Sequence, residues 1–560
     1  MCRTLSLLLL ASLVLGLSPV PATAEFTVVA VGGDVPPRGT GAFAEELGTP
    51  VLDDHDEAAF PSNLRDNGFI SGGGIFRSNG TAGDLTTIML NGDPLPDLNG
   101  NLNQAVQADI HLVDTKDQVA AKVGLAGTLG GQLDNTAIYL DDGSGLVQLV
   151  RTNDLVPGGV GRFAVFSDIS TNDAGQVAFL GSLRDTTDAQ GLYRADKSGV
   201  TQIVRVHSPA PGSAFTLDLL GTGPLNSSGQ MLFSGLDNSD QTNNGLFRGD
   251  GVSTVAIALF GGATPDGNGT YFVPATSGAI NDAGQVAFVD TDLQNTQQGA
   301  LDNAGVFRSD GTTAVTIARK GDLAPDQNGR YLQFVPVPLI NASGQVLFQT
   351  SISGGSNGSN DGLFLADGSS ASVVARINED APGGGRFSFL GPHALNDNGQ
   401  VAFFAQIDLQ DGGGIDDTSG LFLYDPLKGL VAVARNGQQL ANLGPISAIN
   451  FAGTLTAATT TEDGFNQAGH VAFRCFAGES VAVAIWSPSP PPVCGEPVTT
   501  GGSPKASDCL FILKVAVGSE TCTPEDCVCN VNGDNHTTAT DALLCLKKAV
   551  GQDVTLNCPC

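Results

Sequence analysis

Basic residues are scarce in this chain, which has 26 Lys and Arg against 57 Asp and Glu in 560 residues and a formal net charge of −31. Such a surface repels a phosphate backbone, which argues against nucleic-acid binding and leaves cations as better-matched partners. Long apolar runs are absent beyond the first 24 residues. A membrane helix needs roughly 20 consecutive apolar residues, so the mature chain is predicted to contain no transmembrane segment.

Cysteine is absent between Arg3 and Arg474. Of the ten cysteines, Cys2 lies in the leader and the other nine lie at or beyond Cys475. In an exported protein, such a cluster is typical of a small module stapled by disulfides because its core is thin. Nine is an odd number, so at least one thiol is free or pairs between chains. The pairing itself stays open at this point.

The first residues, MCRTLSLLLLASLVLGLSPVPATA, have a basic start, an apolar run and an Ala-x-Ala cleavage pattern. This pattern predicts a secretory signal peptide over residues 1–24, cut before Glu25. We therefore expect a secreted or cell-surface protein.

A short motif recurs along the chain. Six copies follow the pattern Asn-x-x-Gly-x-Val-Ala-Phe or a close variant, and two weaker copies precede them. The six begin at Asn172, Asn226, Asn281, Asn341, Asn396 and Asn466, and the weaker two at Asp53 and Asp114. The intervals run from 54 to 70 residues. A repeat of this size indicates a propeller, a solenoid or an array.

Each period has the pattern of four short strands. After Asn172, the apolar segments QVAFLGSL, GLYRA, VTQIVRV and AFTLDLL are separated by turns rich in Asp, Gly, Ser and Pro. Four antiparallel strands make a propeller blade. The mature N-terminus resembles strands three and four of a period, and the last copy contains only strands one and two. We predict an all-β propeller of eight four-stranded blades, one completed by both termini so that no sheet edge is left open.

The repeated motif is interpreted as structural. Asn or Asp bonds its own backbone, Gly adopts left-handed backbone readily, and Val-Ala-Phe suits a strand. Turn and strand preferences therefore account for every position. Four arginines, Arg77, Arg194, Arg248 and Arg308, follow the aromatic residue of the second strand. One such residue per blade is interpreted as a stabilising contact rather than a pocket.

The motif of Asn172, Gly175, Val177, Ala178 and Phe179, with its copies, resembles the bacterial tandem-repeat family named for NxxGxxVAF, among the choice-of-anchor surface proteins. The resemblance covers residues 25–486. It implies export and surface display, and it implies no established activity.

A different module is predicted after the repeats. The Pro-rich segment 487–493 is a stiff linker and a domain boundary, followed by a Cys-rich domain over residues 494–560. Two segments there match at an offset of 33, ASDCLFILKVAVG from Ala506 and ATDALLCLKKAVG from Ala539. Each predicts a short helix with an acid near its start and a glycine at its end.

The segment NVNGDNHTTATD before the second helix has the alternating oxygen-bearing residues of a Ca²⁺ loop. Its predicted ligands are Asn530, Asn532, Asp534 and Asp541 at positions one, three, five and twelve, with the His536 carbonyl at seven and Thr538 at nine. The low charge of this set predicts weak Ca²⁺ binding. The equivalent residues before the first helix, Pro497, Thr499 and Gly501, form no cation-binding set.

With Leu543, Leu544 and Leu546 following, this loop resembles a dockerin repeat, in which the twelfth position is Asp. The match departs at Asn530, where Asp is usual, and at Asn535, where Gly is usual. The resemblance implies a paired dockerin that docks onto a cohesin-like protein or a cell-envelope component through its helix faces. The alternative is a disulfide-stapled cap with a relict loop. An oxidising compartment favours disulfides over zinc at the clustered cysteines.

Signals for catalysis are weak. The six histidines are scattered singly, and GGSNG around Ser356 fits a nucleophile motif but lies in a polar loop. Three acidic loops, DNSDQTNNG, DTDLQNTQQGALDNAG and DLQDGGGIDDTSG, could hold Ca²⁺ or hydroxyl-rich ligands, although their variable spacing favours solvated turns. We predict no catalytic residue and no organic cofactor.

Two functions remain open. The favoured one is an exported, non-catalytic propeller that binds a glycan or protein ligand and is attached to a partner by its tail. The alternative is a secreted propeller enzyme acting on polysaccharide, a glycosidase or lyase with loop carboxylates as acid and base. An enzyme should gather unique acids, Tyr or His at one ring face. The longest interval, after Asn396, adds mostly the segment GPISAINFAGTLTAATTTEDG, which contains no His or Tyr, and this favours binding.

Overall fold

The computed structural model describes residues 25–103, 109–113, 118–240, 242–272, 278–358, 360–409, 418–454, 464–488, 494–498, 503–522, 526–534 and 536–558. Its contacts divide the chain into two compact units, Phe26–Ser487 and a second that contains Pro488–Cys560. The predicted signal peptide lies outside the described residues, as do residues 489–493 of the predicted linker.

The larger unit is an eight-bladed β-propeller in which the strands of a blade follow one another from the axis outward. The first strand, β1 (Glu25–Val31), belongs to the last blade. Blade one contains β2 (Ala42–Leu47), β3 (Val51–Leu52), β4 (Ala58–Asp66), β5 (Phe69–Ser78) and β6 (Leu85–Leu90). Blade two contains β7 (Asn101–Asn103), β8 (Asp109–Val113), β9 (Gln118–Ala126), β10 (Thr136–Asp141) and β11 (Leu146–Arg151). Blade three contains β12 (Arg162–Thr171), β13 (Val177–Arg184), β14 (Gln190–Asp196) and β15 (Gly199–Arg205).

The next blades repeat this order after a small hairpin of β16 (Ser208–Pro209) and β17 (Thr216–Leu217). Blade four contains β18 (Leu219–Leu225), β19 (Met231–Leu236), β20 (Asn244–Gly249) and β21 (Thr254–Leu259). Blade five contains β22 (Gly278–Ile280), β23 (Val286–Asp290), β24 (Gly305–Ser309) and β25 (Ala314–Arg319). Blade six contains β26 (Arg330–Phe334), β27 (Leu339–Ile340), β28 (Val346–Ser353), β29 (Asp361–Ala366) and β30 (Ala371–Arg376).

The last two blades complete the ring. Blade seven contains β31 (Arg386–Leu395), β32 (Val401–Asp408), β33 (Thr418–Asp425) and β34 (Gly429–Arg435). Blade eight contains β35 (Gln439–Leu440), β36 (Gly444–Asn450), β37 (Val471–Ala477), β38 (Ser480–Ser487) and, beside β38, the N-terminal β1. The prediction that both termini complete one blade is confirmed.

The predicted division of strands between blades needs a correction. The second N-terminal strand, β2, pairs with β4 in blade one, so the N-terminus gives blade eight a single strand. The inner strand of blade eight is β36, which precedes the motif. The reason is the shortness of the motif turn. A tight turn joins the strand before it and the strand after it as an antiparallel hairpin, so both lie in the same blade.

The motif forms this tight turn. In the copy from Asn172, the Asn172 Oδ1 accepts hydrogen bonds from the backbone N–H groups of Ala174, at 3.2 Å, and Gln176, at 3.0 Å. Gly175 has a φ of 70°, in the left-handed region that a glycine adopts without strain. The chain then enters β13. The interpretation of the motif as turn chemistry is confirmed.

The motif asparagines also join one blade to the next. The Asn172 Nδ2 donates to the backbone carbonyl of Asn226 at 2.8 Å. The same bond runs from Asn226 to Asn281 (3.0 Å), Asn281 to Asn341 (3.0 Å), Asn341 to Asn396 (3.3 Å), Asn396 to Asn466 (3.1 Å) and Asn466 to Asp53 (3.0 Å). The last of these crosses the closure from blade eight to blade one. We call this series the asparagine ring; residues 114–117, which begin the second copy, lie outside the described residues.

In six of the blades, the motif phenylalanine pairs in the core with an aromatic residue of the next strand. Phe179 lies opposite Tyr193 on the neighbouring strand, with ring centroids 5.7 Å apart. Equivalent pairs are Phe60 with Phe76, Phe233 with Phe247, Phe288 with Phe307, Phe348 with Phe364 and Phe403 with Phe422, at 5.5 to 6.1 Å. An aromatic pair contributes about 0.5–1.5 kcal/mol beyond the area that it buries.

The recurrent arginines make stabilising contacts, as predicted, and three of them also connect neighbouring blades, which was not predicted. The Arg194 Nη1 donates to the backbone carbonyl of Gly229 in the next motif, and Arg248 and Arg308 do the same to Gly284 and Gly344. A Cβ at Gly229 would collide with the Arg194 guanidinium. A larger residue would therefore displace the Arg194 side chain from this contact, besides being strained by the φ of 74°. Arg77 differs, because its Nε lies 3.5 Å from the buried Glu57 carboxylate of its own blade.

The smaller unit contains three helices, α1 (Ala506–Ala516), α2 (Asp526–Cys529) and α3 (Ala539–Ala549). Disulfides join Cys494 to Cys558, Cys509 to Cys545 and Cys522 to Cys529. The second of these ties α1 to α3. Each of these two helices is followed by the predicted glycine, Gly518 or Gly551, with a φ of 74° or 80°. No helix among the described residues is both long and apolar enough to span a bilayer.

The structure partly answers which cysteines pair and which carry a free thiol. Cys475 carries a free thiol that is buried in β37 of the propeller, and burial raises its pKa to about 12. Such a thiol stays protonated and unreactive at neutral pH. The side chain of Cys527 and the whole of Cys560 lie outside the described residues.

We expect Asn281→Ala to lower the free energy of unfolding by about 2–4 kcal/mol, since it removes two donated bonds and one accepted bond at a buried position. Denaturant unfolding of the full chain measures this. The matched control is Asn238→Ala, which truncates an exposed asparagine and should change stability by less than about 0.5 kcal/mol. Equal effects of the two substitutions would contradict a stabilising role for the asparagine ring.

Candidate functional site

The predicted calcium loop lies against the start of α3. Asp541 is fully buried, and its Oδ2 accepts hydrogen bonds from the Thr538 N–H, at 2.8 Å, and the Thr538 hydroxyl, at 2.9 Å. Its Oδ1 accepts a bond from the Asn532 N–H at 3.2 Å. Thr538 is the N-cap of α3, and Asp541 closes a capping box with it. These contacts fold the loop back onto the helix.

The remaining predicted ligands lie in the same loop. The Asn530 Oδ1 accepts bonds from the N–H groups of Gly533 and Asp534, and the Asn532 amide donates to Asp534 at 2.9 Å. The His536 N–H donates to the Asp534 Oδ1 at 3.0 Å. The structure therefore brings the predicted ligands into one hydrogen-bonded loop. Asn535, at the sixth position, lies outside the described residues.

The donor set is compatible with Ca²⁺, because the side chains of the loop present oxygen atoms. In the described part of the chain, no group of three His, Cys, Asp or Glu residues is arranged to hold a metal ion. A cation in this loop would therefore depend on amide and hydroxyl oxygens together with the Asp534 and Asp541 carboxylates.

The first helix repeats the capping geometry without the donor set. Asp508 is fully buried, and its carboxylate accepts bonds from the Lys505 N–H, at 2.7 Å, and the Val498 N–H, at 3.0 Å. The preceding segment supplies Pro497 where the second copy has Asn530. Asp508 has the same helix-capping role as Asp541 but has no predicted Ca²⁺ ligands around it. It therefore serves as a matched control for Asp541.

Apolar side chains are exposed on both tail helices at equivalent positions. On α1 and its C-cap they are Leu510 (57% exposed), Leu513 (40%) and Val517 (71%), and on α3 and its C-cap they are Leu543 (52%), Leu546 (43%) and Val550 (66%). Each pair differs by 33 residues, the offset of the sequence repeat. Positions i, i+3 and i+7 share one face of a helix. We call the two sets the paired apolar faces.

The acidic loops are held by their own hydrogen bonds. The Asp237 Oδ1 accepts bonds from the N–H and hydroxyl of Ser239, and the Asp290 Oδ1 accepts one from the Asp292 N–H at 3.0 Å. Residues 410–417 of the third loop lie outside the described residues. The described parts have the bonding of turns, as the variable spacing predicted.

The other candidate residues for catalysis are separated. Ser356 lies in a short 3₁₀ turn, Ser356–Gly358, and its N–H donates to Asn328. His393 is fully buried, and burial lowers its pKa to about 4. The His470 Nδ1 lies 2.5 Å from Asp56, across the closure between blades eight and one. None of these described contacts pairs a nucleophile with a base.

A cavity of about 490 Å³ lies on the propeller axis, where the motif turns meet. The residue before each motif asparagine lines it as an apolar collar: Leu52, Leu225, Ile280, Ile340, Leu395 and Phe465, with Thr171 in the same position. The residue after each asparagine forms the rim. The rim contains Asp54, Asp173, Ser227, Asp282, Ala342, Asp397 and Gln467. We call this space the axial cavity.

Rim residues bond from blade to blade. The Ser227 N–H donates to Asp282 at 2.8 Å, the Ala342 N–H to Asp397 at 2.7 Å, and the Gln467 N–H to Asp54 at 2.7 Å. Sequence reasoning missed the axial cavity, because it treated each motif copy as a separate turn. The signal was present in the aligned copies, where an aliphatic residue usually precedes the asparagine and an acid often follows it.

The first copy breaks the asparagine ring. Asp53 occupies the ring position, and its Oδ1 accepts the Glu57 N–H at 2.7 Å, as the motif asparagine does elsewhere. Its Oδ2 takes the place of the donating amide and has no hydrogen-bond partner among the described residues; the nearest basic atom is the His55 Nδ1 at 3.9 Å. Burial raises the pKa of Asp53 to about 6, against the opposing effect of its N–H donors.

Residues 52–490 match the model of a family described as a family of unknown function, DUF7453. The chain belongs to the DUF7453 family. The DUF7453 region starts one residue before Asp53 and ends after β38, so it contains every described member of the asparagine ring. None of the curated proteins compared with the chain matches it.

Solved structures resemble the chain at low identity. The β-propeller domain of the Trilobed protease from Pyrococcus furiosus has 9% identity and a TM-score of 0.36, over 69% of this chain and 96% of that one. An acylaminoacyl peptidase from Pyrococcus horikoshii has 10% identity and a TM-score of 0.36, over 76% and 57%. A polysaccharide lyase, an ulvan lyase, has 11% identity and a TM-score of 0.30, over 81% and 94%. Similarity at this level carries no information on what the DUF7453 propeller binds.

We expect Asp53→Asn to stabilise the chain by roughly 1–2 kcal/mol at pH 7–8. The folded pKa of about 6 lies above the ordinary value of 3.8, so the buried carboxylate costs stability as pH rises through this window. The gain from the substitution should therefore be small at pH 4 and complete above about pH 6. Denaturant unfolding across this range measures it, with the exposed Asp66→Asn as control. A gain that does not change with pH would show that charge burial at Asp53 is not its cause.

Proposed function

We propose that the chain is an exported, non-catalytic binding protein whose propeller holds a ligand and whose Cys-rich tail attaches it to a partner protein. The observation that carries the proposal is the pair of apolar faces on α1 and α3. A disulfide-stapled module with a small core has few apolar side chains to spare. This tail nevertheless leaves six of them exposed at positions related by its internal repeat.

Duplication of the exposed faces supports a docking role over a relict cap. A cap gains nothing from exposed leucines and valines, whereas a docking surface buries such side chains against its partner. The three disulfides suit an oxidising compartment, as export requires. The dockerin resemblance adds a cohesin-like protein or a cell-envelope component as the class of partner.

Ca²⁺ is proposed as the ion that orders the second tail loop. The loop presents Asn530, Asn532, Asp534, the His536 carbonyl, Thr538 and Asp541, and bound Ca²⁺ would neutralise the two carboxylates of this set. The role that we assign to it is structural. By holding the loop against α3, it would fix the orientation of Leu543 and Leu546.

A propeller enzyme acting on polysaccharide is the weaker proposal. A glycosidase needs two carboxylates facing a common space about 5–10 Å apart. The described parts of the first two acidic loops instead commit carboxylate oxygens such as those of Asp237 and Asp290 to loop backbone.

Ca²⁺ titration calorimetry of the full chain tests the loop. We expect saturable binding that Asp541→Ala abolishes, and thermal stabilisation of about 1–3 kcal/mol at excess Ca²⁺. The matched control is Asp508→Ala, which removes the equivalent helix-capping carboxylate from α1 and should leave the Ca²⁺ response intact. If both variants respond to Ca²⁺ like the parent chain, the loop is not the site.

Partner capture tests the docking surface. The full chain is used as bait against secreted and envelope proteins, with Leu510→Glu/Leu543→Glu as the test variant. We expect the variant to lose a partner that the parent chain captures, because a charge on each apolar face prevents burial. The control is Val252→Glu, a similar change at a 95% exposed position of the propeller. Unchanged capture by the test variant would exclude the paired apolar faces as the docking surface.

A further inference from the structure

We infer that the axial cavity binds an amphipathic organic cation, in which an ammonium or guanidinium group is carried on an apolar body. This deepens the proposed function, on which it rests, by naming the ligand class of the propeller. It is independent of the tail, because every residue that lines the axial cavity belongs to Phe26–Ser487.

The axial cavity has the size and position of a ligand site. Its volume of about 490 Å³ falls within the range of roughly 300–1,000 Å³ typical of small-molecule sites. It lies where the inner ends of seven described blades meet, so one ligand contacts several blades at once. The asparagine ring holds these ends together, which gives the cavity a preformed wall and lowers the entropic cost of binding.

The collar selects an apolar body. An apolar residue lines the wall in every described copy except that of Thr171. Ile340 and Leu395 are half-buried, whereas residues such as Leu225 and Ile280 also pack into the blade cores. Each lies one residue before the motif asparagine, on the inner-strand side of the turn. The rim residue lies on the other side of the asparagine. A ligand that enters past the rim therefore meets charge first and apolar surface deeper.

The rim selects a positive charge. Four of its seven described residues are aspartates, and no Lys, Arg or His occurs among the described residues that line the cavity. Asp53 adds a further carboxylate to the wall. Its residue is 4% exposed, and its Oδ2 accepts no hydrogen bond from the described part of the chain. A cation in the cavity would lower the cost of this buried carboxylate, whose Oδ2 has the His55 Nδ1 at 3.9 Å and no hydrogen-bond donor among the described residues.

A bare metal ion fits less well than an organic cation. The described acidic residues form no group of three positioned to hold a metal. Rim carboxylates such as those of Asp282 and Asp397 also accept backbone N–H groups from the preceding blade. The negative charge is thus distributed around the ring, which suits a diffuse charge on a larger body.

Titration calorimetry of the full chain with hexyl-, octyl- and decylammonium tests the inference. We expect one saturable site per chain, with the dissociation constant falling about two- to fourfold for each added methylene because the collar buries the alkyl chain. Binding should weaken as ionic strength rises. Decyl sulfate, with the opposite charge, should not compete. Absence of saturable binding, or equal binding of decyl sulfate, would overturn the inference.

Variants locate the binding. Asp173→Asn/Asp282→Asn keeps an oxygen acceptor at each position and removes two charges, and should weaken decylammonium binding about 2- to 25-fold. The control Asp66→Asn/Asp553→Asn removes two charges at exposed positions outside the cavity and should have no effect.

The variant Ile340→Thr tests the apolar collar. It should reduce the gain in affinity for each added methylene while leaving the salt dependence of binding unchanged. Unfolding curves confirm that each variant is folded. Unchanged affinity in both cavity variants would reject this site.

Two further experiments complete the test. If the natural ligand is a protein segment, a capped peptide with one leucine between two lysines should displace decylammonium. If the peptide does not displace decylammonium although decylammonium still binds, the natural ligand is a free amine. The tail variant Leu510→Glu/Leu543→Glu should bind decylammonium normally. Loss of amine binding in that variant would assign it to the tail and contradict the inference, while leaving the docking proposal to its own experiment.

Discussion

The propeller depends on a side-chain amide that donates to the next blade's backbone. Each motif asparagine uses its Oδ1 to build its own turn and its Nδ2 to reach the following copy. One residue therefore shapes a blade locally and joins it to its neighbour. Aspartate supplies the first role without the second, because a carboxylate cannot donate. The ring position at Asp53 shows this directly, since its Oδ1 bonds are kept while its Oδ2 lacks a donor among the described residues.

The sequence predicts much of this architecture because the repeat has a period that matches four strands, and because turn residues have local preferences. Blade number, closure by both termini and a stabilising role for one arginine per repeat follow from that period, whereas the inter-blade partner of each arginine does not. The pairing of β2 with β4 did not, because the four-strand period has no marked starting point in sequence. The axial cavity was missed for a related reason. It exists only after seven separate turns are brought to one axis, and no single turn contains it.

Internal repetition has different consequences in the two units. In the propeller, neighbouring copies contact one another through the asparagine ring, so a change at one position, such as Asn281, removes a bond to the next blade. In the tail, the two copies are tied by the Cys509–Cys545 disulfide and keep the same capping carboxylate and the same exposed side chains. They differ in the loops before the helices, where only the second has ion-binding residue types. The cation binding that we propose for the tail is therefore confined to one copy, while its exposed apolar side chains occur in both.

The pairing of β1 with β38 places the two ends of the propeller side by side in one sheet. The asparagine ring holds neighbouring blades together around the axis. The two ends of the propeller chain, at β1 and β38, therefore meet within blade eight rather than between two blades. A polypeptide with this arrangement is suited to circular permutation. Its present ends could be fused and new ones opened in another outer hairpin without removing any described member of the asparagine ring. Chain continuity at this seam thus matters less to the ring than the hydrogen bonds that cross it.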